Sequence, residues 1–154
     1  MWVSILDDLM TKNINKKETA YNISDLIDRL SIDQNKQYQF EHSSKKYEES
    51  IQKNMKSIDI ILKKKKIKLN EKNISILLSL SQVNLYIWFL REKISKQAKP
   101  DSMKIKLSHQ INAVRNQLKN KLLQSLIKEK KFTNKKTNTN QEDLKDWELT
   151  ALND

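Results

Sequence analysis

The chain contains no cysteine and no glycine, and Pro100 is its only proline. Without cysteine there is neither a disulfide framework nor a thiolate metal site. Strands, tight hairpin turns and phosphate-cradling loops draw on glycine for backbone angles that other residues avoid, whereas helix interiors do not. The absence therefore points to an all-α chain and removes the Gly-rich nucleotide-binding motifs. Histidine is scarce as well. His42 and His109 fall on different expected helices, and no His or carboxylate pair has the spacing of a metal site. No metal or cofactor is expected. Arg29, Arg91 and Arg115 stand against 27 lysines, so the guanidinium fork that reads guanine edges is nearly missing.

What the chain does have is length for one domain with a modest core, 154 residues, and a net charge of +11. The lysine excess comes with 15 asparagines and 17 isoleucines, and all three residue types have AT-rich codons, which accounts for much of the basic balance. The ends, residues 1–35 and 132–154, are net acidic and flank a basic middle. One or both ends are expected to lie over it. The start, MWVSILDDLM, is acidic where a secretory signal is basic, so a cytoplasmic protein is expected.

Most of the apolar material sits in Ile74–Ile94. On a helical wheel Ile76, Leu80, Val83, Ile87, Leu90 and Ile94 form one stripe, and Leu77, Leu78, Leu85, Trp88 and Phe89 form a second. A helix apolar nearly all round is buried on most sides. Gln82 and Asn84 lie near its middle, so a buried bundle helix is expected and not a membrane span. Lys99-Pro100-Asp101-Ser102 is a clear stop, and a connection this short implies antiparallel neighbours. The reading is a hairpin of 74–98 with 103–131, capped by Asn70 and by Asp101 or Ser102. A third long helix, 37–66, is laid on it. Short N-terminal helices near 3–12 and 22–36 precede, the second capped by Asn22 or Ser24. Three regions follow: 1–35, a bundle over 36–131, and a flexible polar linker (Thr133–Gln141) with an acidic amphipathic tail over 132–154.

Few residues carry chemistry. Asp25 and Asp28 are three apart, but the first turn of a helix explains acidic residues, and Asp25 with Arg29 has the spacing of an exposed ion pair. Asn84 and Arg115 are more pointed. Each lies close to an apolar face, and buried polar groups need partners, so the two are expected to hydrogen-bond across the hairpin. Lys63, Lys64, Lys65, Lys66 and Lys68 form one basic cluster, and Lys128, Lys130 and Lys131 a second. Such clusters support salt-sensitive, sequence-blind nucleic-acid binding. A regular apolar stripe serves a homo-oligomer as readily as a core.

Three stretches carry a resemblance: ISDLIDRLSI (23–32) with Lys36 following, NLYIW (84–88) and INAVRN (111–116). They are similar to small uncharacterised helical bacterial proteins often encoded among lipopolysaccharide or capsule biosynthesis genes. Phe89-Leu90-Arg91-Glu92 stands where H-L-E-D is usual, so the histidine of that pattern is absent. The resemblance implies a cytoplasmic helical accessory protein of surface-polysaccharide production. It singles out Asp25, Asp28, Arg29, Lys36, Asn84, Trp88, Asn112, Arg115 and Asn116. The expected function is thus a helical module that works by association with a protein partner or with itself, and catalysis is not expected. The alternatives are a basic nucleic-acid-binding protein and a sugar-nucleotide or sugar-phosphate enzyme built around Asp28, Asn84 and Arg115.

Overall fold

The computed structural model describes residues 16–99, 101–127, 144 and 149–152. Among them are four α-helices and no strand: α1 Lys16–Gln39, α2 Ser44–Lys65, α3 Glu71–Ser95 and α4 Ser102–Ile127. Two 3₁₀ turns, Glu41–Ser43 and Thr150–Leu152, complete the described elements. The all-α class expected from the missing glycine holds. The expected helix near 3–12, the linker Thr133–Gln141 and the lysines at 128, 130 and 131 lie outside the described residues.

α3 and α4 form the expected antiparallel hairpin. Asn70 begins α3 with a reciprocal cap: its Oδ1 accepts from the Asn73 N–H at 2.9 Å, and Asn73 Oδ1 accepts from the Asn70 N–H at 3.0 Å. Asn73 also donates to the Ser125 hydroxyl at 2.5 Å, tying the start of α3 to the end of α4. Asn70→Ala should therefore lower stability by about 1 kcal/mol, the usual cost of an N-cap, and urea unfolding measures it. Asp101 caps α4 through the Met103 N–H at 3.0 Å.

The expected stripe of α3 is the core. Ile76, Leu80, Val83, Ile87 and Leu90 are buried against Ile111, Val114, Leu118 and Leu122 of α4. Ile23 of α1 joins them fully buried, and Ile27 packs beside it. Ala151, Leu149 and Leu152 pack on the same core, and Lys121 Nζ donates to the Leu152 carbonyl. This part of the acidic C-terminal end does lie over the basic middle, held largely by apolar contact.

Three expectations are corrected. First, α1 runs over Lys16–Gln39, where a helix near 22–36 is expected. Ser24, Asp25 and Asp28 are therefore inside a helix, not at its first turn, and Ser24 Oγ donates to the Lys119 carbonyl at 3.1 Å instead of capping. α1 runs parallel to α3 and antiparallel to α4: Asp28 meets both Asn84 and Arg115, and Ser24 meets Lys119 one turn further along α4. Second, the helix expected from 37 to 66 is interrupted at Phe40 (φ −118°, ψ 85°). One rod from 16 to 65 would be about 75 Å long and could not fold its two apolar edges onto one core. The break lets α2 return along α1. Phe40 fills the corner, edge-on to Trp88 at 5.3 Å and stacked on Tyr47 at 6.3 Å. Third, α2 packs chiefly on α1 and not on the hairpin. Only Ile61 and Leu62 near its end, with Ile67 beyond, reach the core. The outer stripe of α2 is too thin to do more, since Met55 and Ile60 are exposed.

α2 ends on Lys66 in the left-handed conformation (φ 52°, ψ 38°), with the Ile67 N–H on the Leu62 carbonyl at 3.0 Å. Glycine usually takes this position. In a chain without glycine a lysine occupies it, and the basic last turn of Lys63, Lys64 and Lys65 suits the negative end of the helix dipole.

The second stripe of α3 is only partly buried: Leu77, Leu85 and Trp88 are half-buried, while Leu78, 63% exposed, and Phe89 face outward, as do Ile74 and Tyr86 outside that stripe. Among the described residues α3 is the one helix long and apolar enough to cross a membrane. Its inner stripe is engaged in the bundle.

Candidate functional site

Asp28 is the centre of the polar interior. It sits on α1, only 4% exposed, facing the α3–α4 hairpin. Its Oδ1 accepts from Asn84 Nδ2 at 3.0 Å and from Arg115 Nε at 3.0 Å. Its Oδ2 accepts from Arg115 Nη2 at 2.5 Å and lies 3.3 Å from Lys119 Nζ. An ionised carboxylate offers about four lone-pair sites, and four donors surround this one. Asn84 Nδ2 also reaches the Ser31 hydroxyl at 3.1 Å, and Lys119 bridges to Asp25 at 2.5 Å. Arg115 Nη1 donates to Asn112 Oδ1 at 3.2 Å. Residues on three helices are thus joined through one carboxylate.

The electrostatics follow from that crowding. Burial alone would push the Asp28 pKa up. Hydrogen bonds from Arg115 and Asn84 outweigh it, with the positive charges of Arg115 and Lys119 added, and the carboxyl is held below its ordinary value. A general base works best with a pKa near the operating pH. Asp28 has moved the other way, and its acceptor sites are already filled.

Above this network opens a cleft of about 550 Å³ between α1, α3 and α4. Lys36, Asn84, Trp88, Arg91 and Arg115 line it, with Ile32 and Ile87 as its apolar wall and Glu92 and Ser95 at the far end. The local reason is helical periodicity. Asp28, Ile32 and Lys36 are four apart on α1, and Asn84, Trp88, Arg91 and Ser95 follow four-three-four spacing on α3, so each set shares a face. A second polar cluster joins α1 to α2, where Asp33 accepts from Ser50 at 2.6 Å and Asn54 at 3.4 Å. A further groove of about 480 Å³ runs along the outer face of α3 between Leu78, Leu85, Phe89 and Leu149.

The structure therefore brings together Asp28, Lys36, Asn84, Trp88, Asn112 and Arg115. Asn84 and Arg115 do not bond to each other across the hairpin as expected. Each donates to Asp28 instead, whose ionised carboxylate is a stronger acceptor than the Asn84 amide oxygen. Asp25 pairs with Lys119 and not with Arg29, since mid-helix Asp25 faces α4 while Arg29 is exposed. Asn116 is half-buried outside the cleft lining. Sequence reasoning missed Ser31, Lys119 and Arg91. Lys119 left no clear signal, since Lys121 stands just as close to the buried pair Leu122–Leu123.

Lys63, Lys64, Lys66 and Lys68 are exposed at the end of α2, and Lys65 is half-buried. Lys63 pairs with Asp59 at 2.8 Å. His42 and His109 are both exposed and on separate elements. Among the described residues no group of three His or acidic side chains could hold a metal ion.

No protein-family model, curated protein or solved structure matches the chain.

Proposed function

We propose that this chain is a non-catalytic helical module that works by association through the outer face of α3, with a second copy as its first partner. The observation that carries the reading is the exposed stripe Ile74, Leu78, Tyr86 and Phe89 on the most apolar helix of the bundle. Contiguous exposed apolar surface marks association sites more often than it is left bare. The groove beside Leu149 gives this face relief into which another helix can set its side chains. The filled acceptor sites of Asp28 argue against chemistry at the interior network. The short motifs at 23–32, 84–88 and 111–116 support a setting in bacterial surface-polysaccharide production, and glycosyltransferase genes are then expected next to the coding gene.

Light scattering on the full chain tests the reading. The wild type should be a dimer, and Leu78→Lys with Phe89→Lys should make it a monomer that keeps the wild-type helical content and whose melting temperature no longer depends on protein concentration. A wild type that stays monomeric at the highest concentration reached rejects self-association.

A further inference from the structure

We propose that the cleft above Asp28 binds a small ligand carrying both a phosphate group and a ring, with Lys36, Arg91 and Arg115 on the phosphate and Trp88 against the ring. This site is separate from the outer face of α3 and does not rest on the association reading.

Three cations from three helices converge there: Lys36 of α1, Arg91 of α3 and Arg115 of α4. The one carboxylate lining the cleft, Glu92, is already taken by Lys96 at 2.7 Å. Asp28 balances Arg115 from below but has no acceptor site left for anything entering from above. With Lys36, Arg91 and Arg115 against Glu92 in the lining and Asp28 beneath, the cleft keeps a net positive charge, which favours an anion.

Arg115 is the positioned element. A guanidinium has five N–H donors. Three are committed, two to Asp28 and one to Asn112, which leaves two. Because Asp28 is itself held by Asn84 and Lys119, the guanidinium cannot swing, and its ordering cost is met on folding, not on binding. A purely structural ion pair has no need of an opening above it, yet the Arg115 side chain remains 21% exposed. Planar forks of this kind match phosphate oxygens.

Trp88 supplies the second half. Its ring is braced at the corner by Phe40 and lines the same cleft beside Ile32 and Ile87. An aromatic face next to fixed cations suits a base or a sugar ring carried by a phosphate. The volume, about 550 Å³, is that of a small-molecule site and not of a peptide groove.

The test uses the full chain with Trp2→Phe and Trp147→Phe, so that Trp88 alone fluoresces. Titrations with uridine diphosphate and with glucose 1-phosphate distinguish a base from a sugar on the ring, and pyrophosphate is the ringless control. At least one ringed probe should bind, change the Trp88 emission and weaken as salt rises. Lys36→Ala and Arg91→Ala should each lower affinity about tenfold or more, the size of one charge-assisted hydrogen bond, without shifting the melting temperature. No binding of either ringed probe at low salt overturns the proposal. So does binding that the two alanine variants leave intact, or pyrophosphate binding as tight as the ringed probes.

Discussion

Asp28→Ala is expected to cost the fold about 3–5 kcal/mol, the penalty for removing one partner of a buried charge cluster. The substitution strands Arg115 and Asn84, which lose their shared acceptor, while Lys119 keeps Asp25. Urea unfolding measures the loss. The mechanism has its own check: Asp28→Leu combined with Arg115→Leu removes the charge and its main partner together, and should recover a large part of the stability lost in Asp28→Ala. If the double variant is no better than the single one, the damage is lost packing and not an unpaired charge. The same carboxylate sets an acid limit. Its pKa in the folded chain is lowered, so the unfolded chain binds the proton more tightly. The stabilisation is complete above about pH 5 and drains away as pH falls through the ordinary aspartate range toward the folded-state value. Asp28→Asn should flatten that part of the pH–stability curve.

Ile23→Ala is expected to cost about 2–5 kcal/mol, the range for emptying a fully buried aliphatic site. Ile23 has no exposed surface and sits between the buried stripes of α3 and α4. This outcome separates two architectures. A self-sufficient hairpin with a loosely attached N-terminal segment would lose little. A bundle in which α1 fills the groove of the hairpin loses the full cavity penalty. Leu78→Ala is the companion measurement and, at protein concentrations below dimerisation, should be nearly neutral, because Leu78 is largely exposed in the single chain and leaves no cavity there. A large effect under those conditions would mean that the outer face of α3 is covered within the chain and not by a second copy.

Features that depend on near neighbours are legible in the sequence. Asn70 and Asp101 are readable as caps because a cap acts within three residues of itself. The stripe Ile76–Leu90 is readable because helical periodicity places those side chains on one face whatever they meet. Asn84 and Arg115 are readable as polar groups close to apolar faces, and hence as groups in need of partners. Their common partner is not. Asp28 lies 56 residues from Asn84 and 87 from Arg115, and nothing local distinguishes it from Asp25. Asp28 is buried between the hairpin helices, while Asp25 meets Lys119 and stays exposed, only because of where α1 settles. The break at Phe40 is hidden for a different reason: the chain reverses there without glycine or proline, using Glu41–Ser43 and an aromatic corner.

By itself, then, the sequence determined the all-α class, the α3–α4 hairpin with its caps at Asn70 and Asp101, and the inner stripe of that hairpin, because composition and periodicity act along the chain. The tertiary structure alone decided that α1 and not α2 fills the hairpin groove, that α3 leaves Leu78 and Phe89 of its second stripe outside, and that Asp28 gathers Asn84, Arg115 and Lys119 beneath an electropositive cleft. A helix carries several faces, and its own residues do not choose among them. Burial of Ile23 and satisfaction of the buried charges become favourable together only once three helices are in contact.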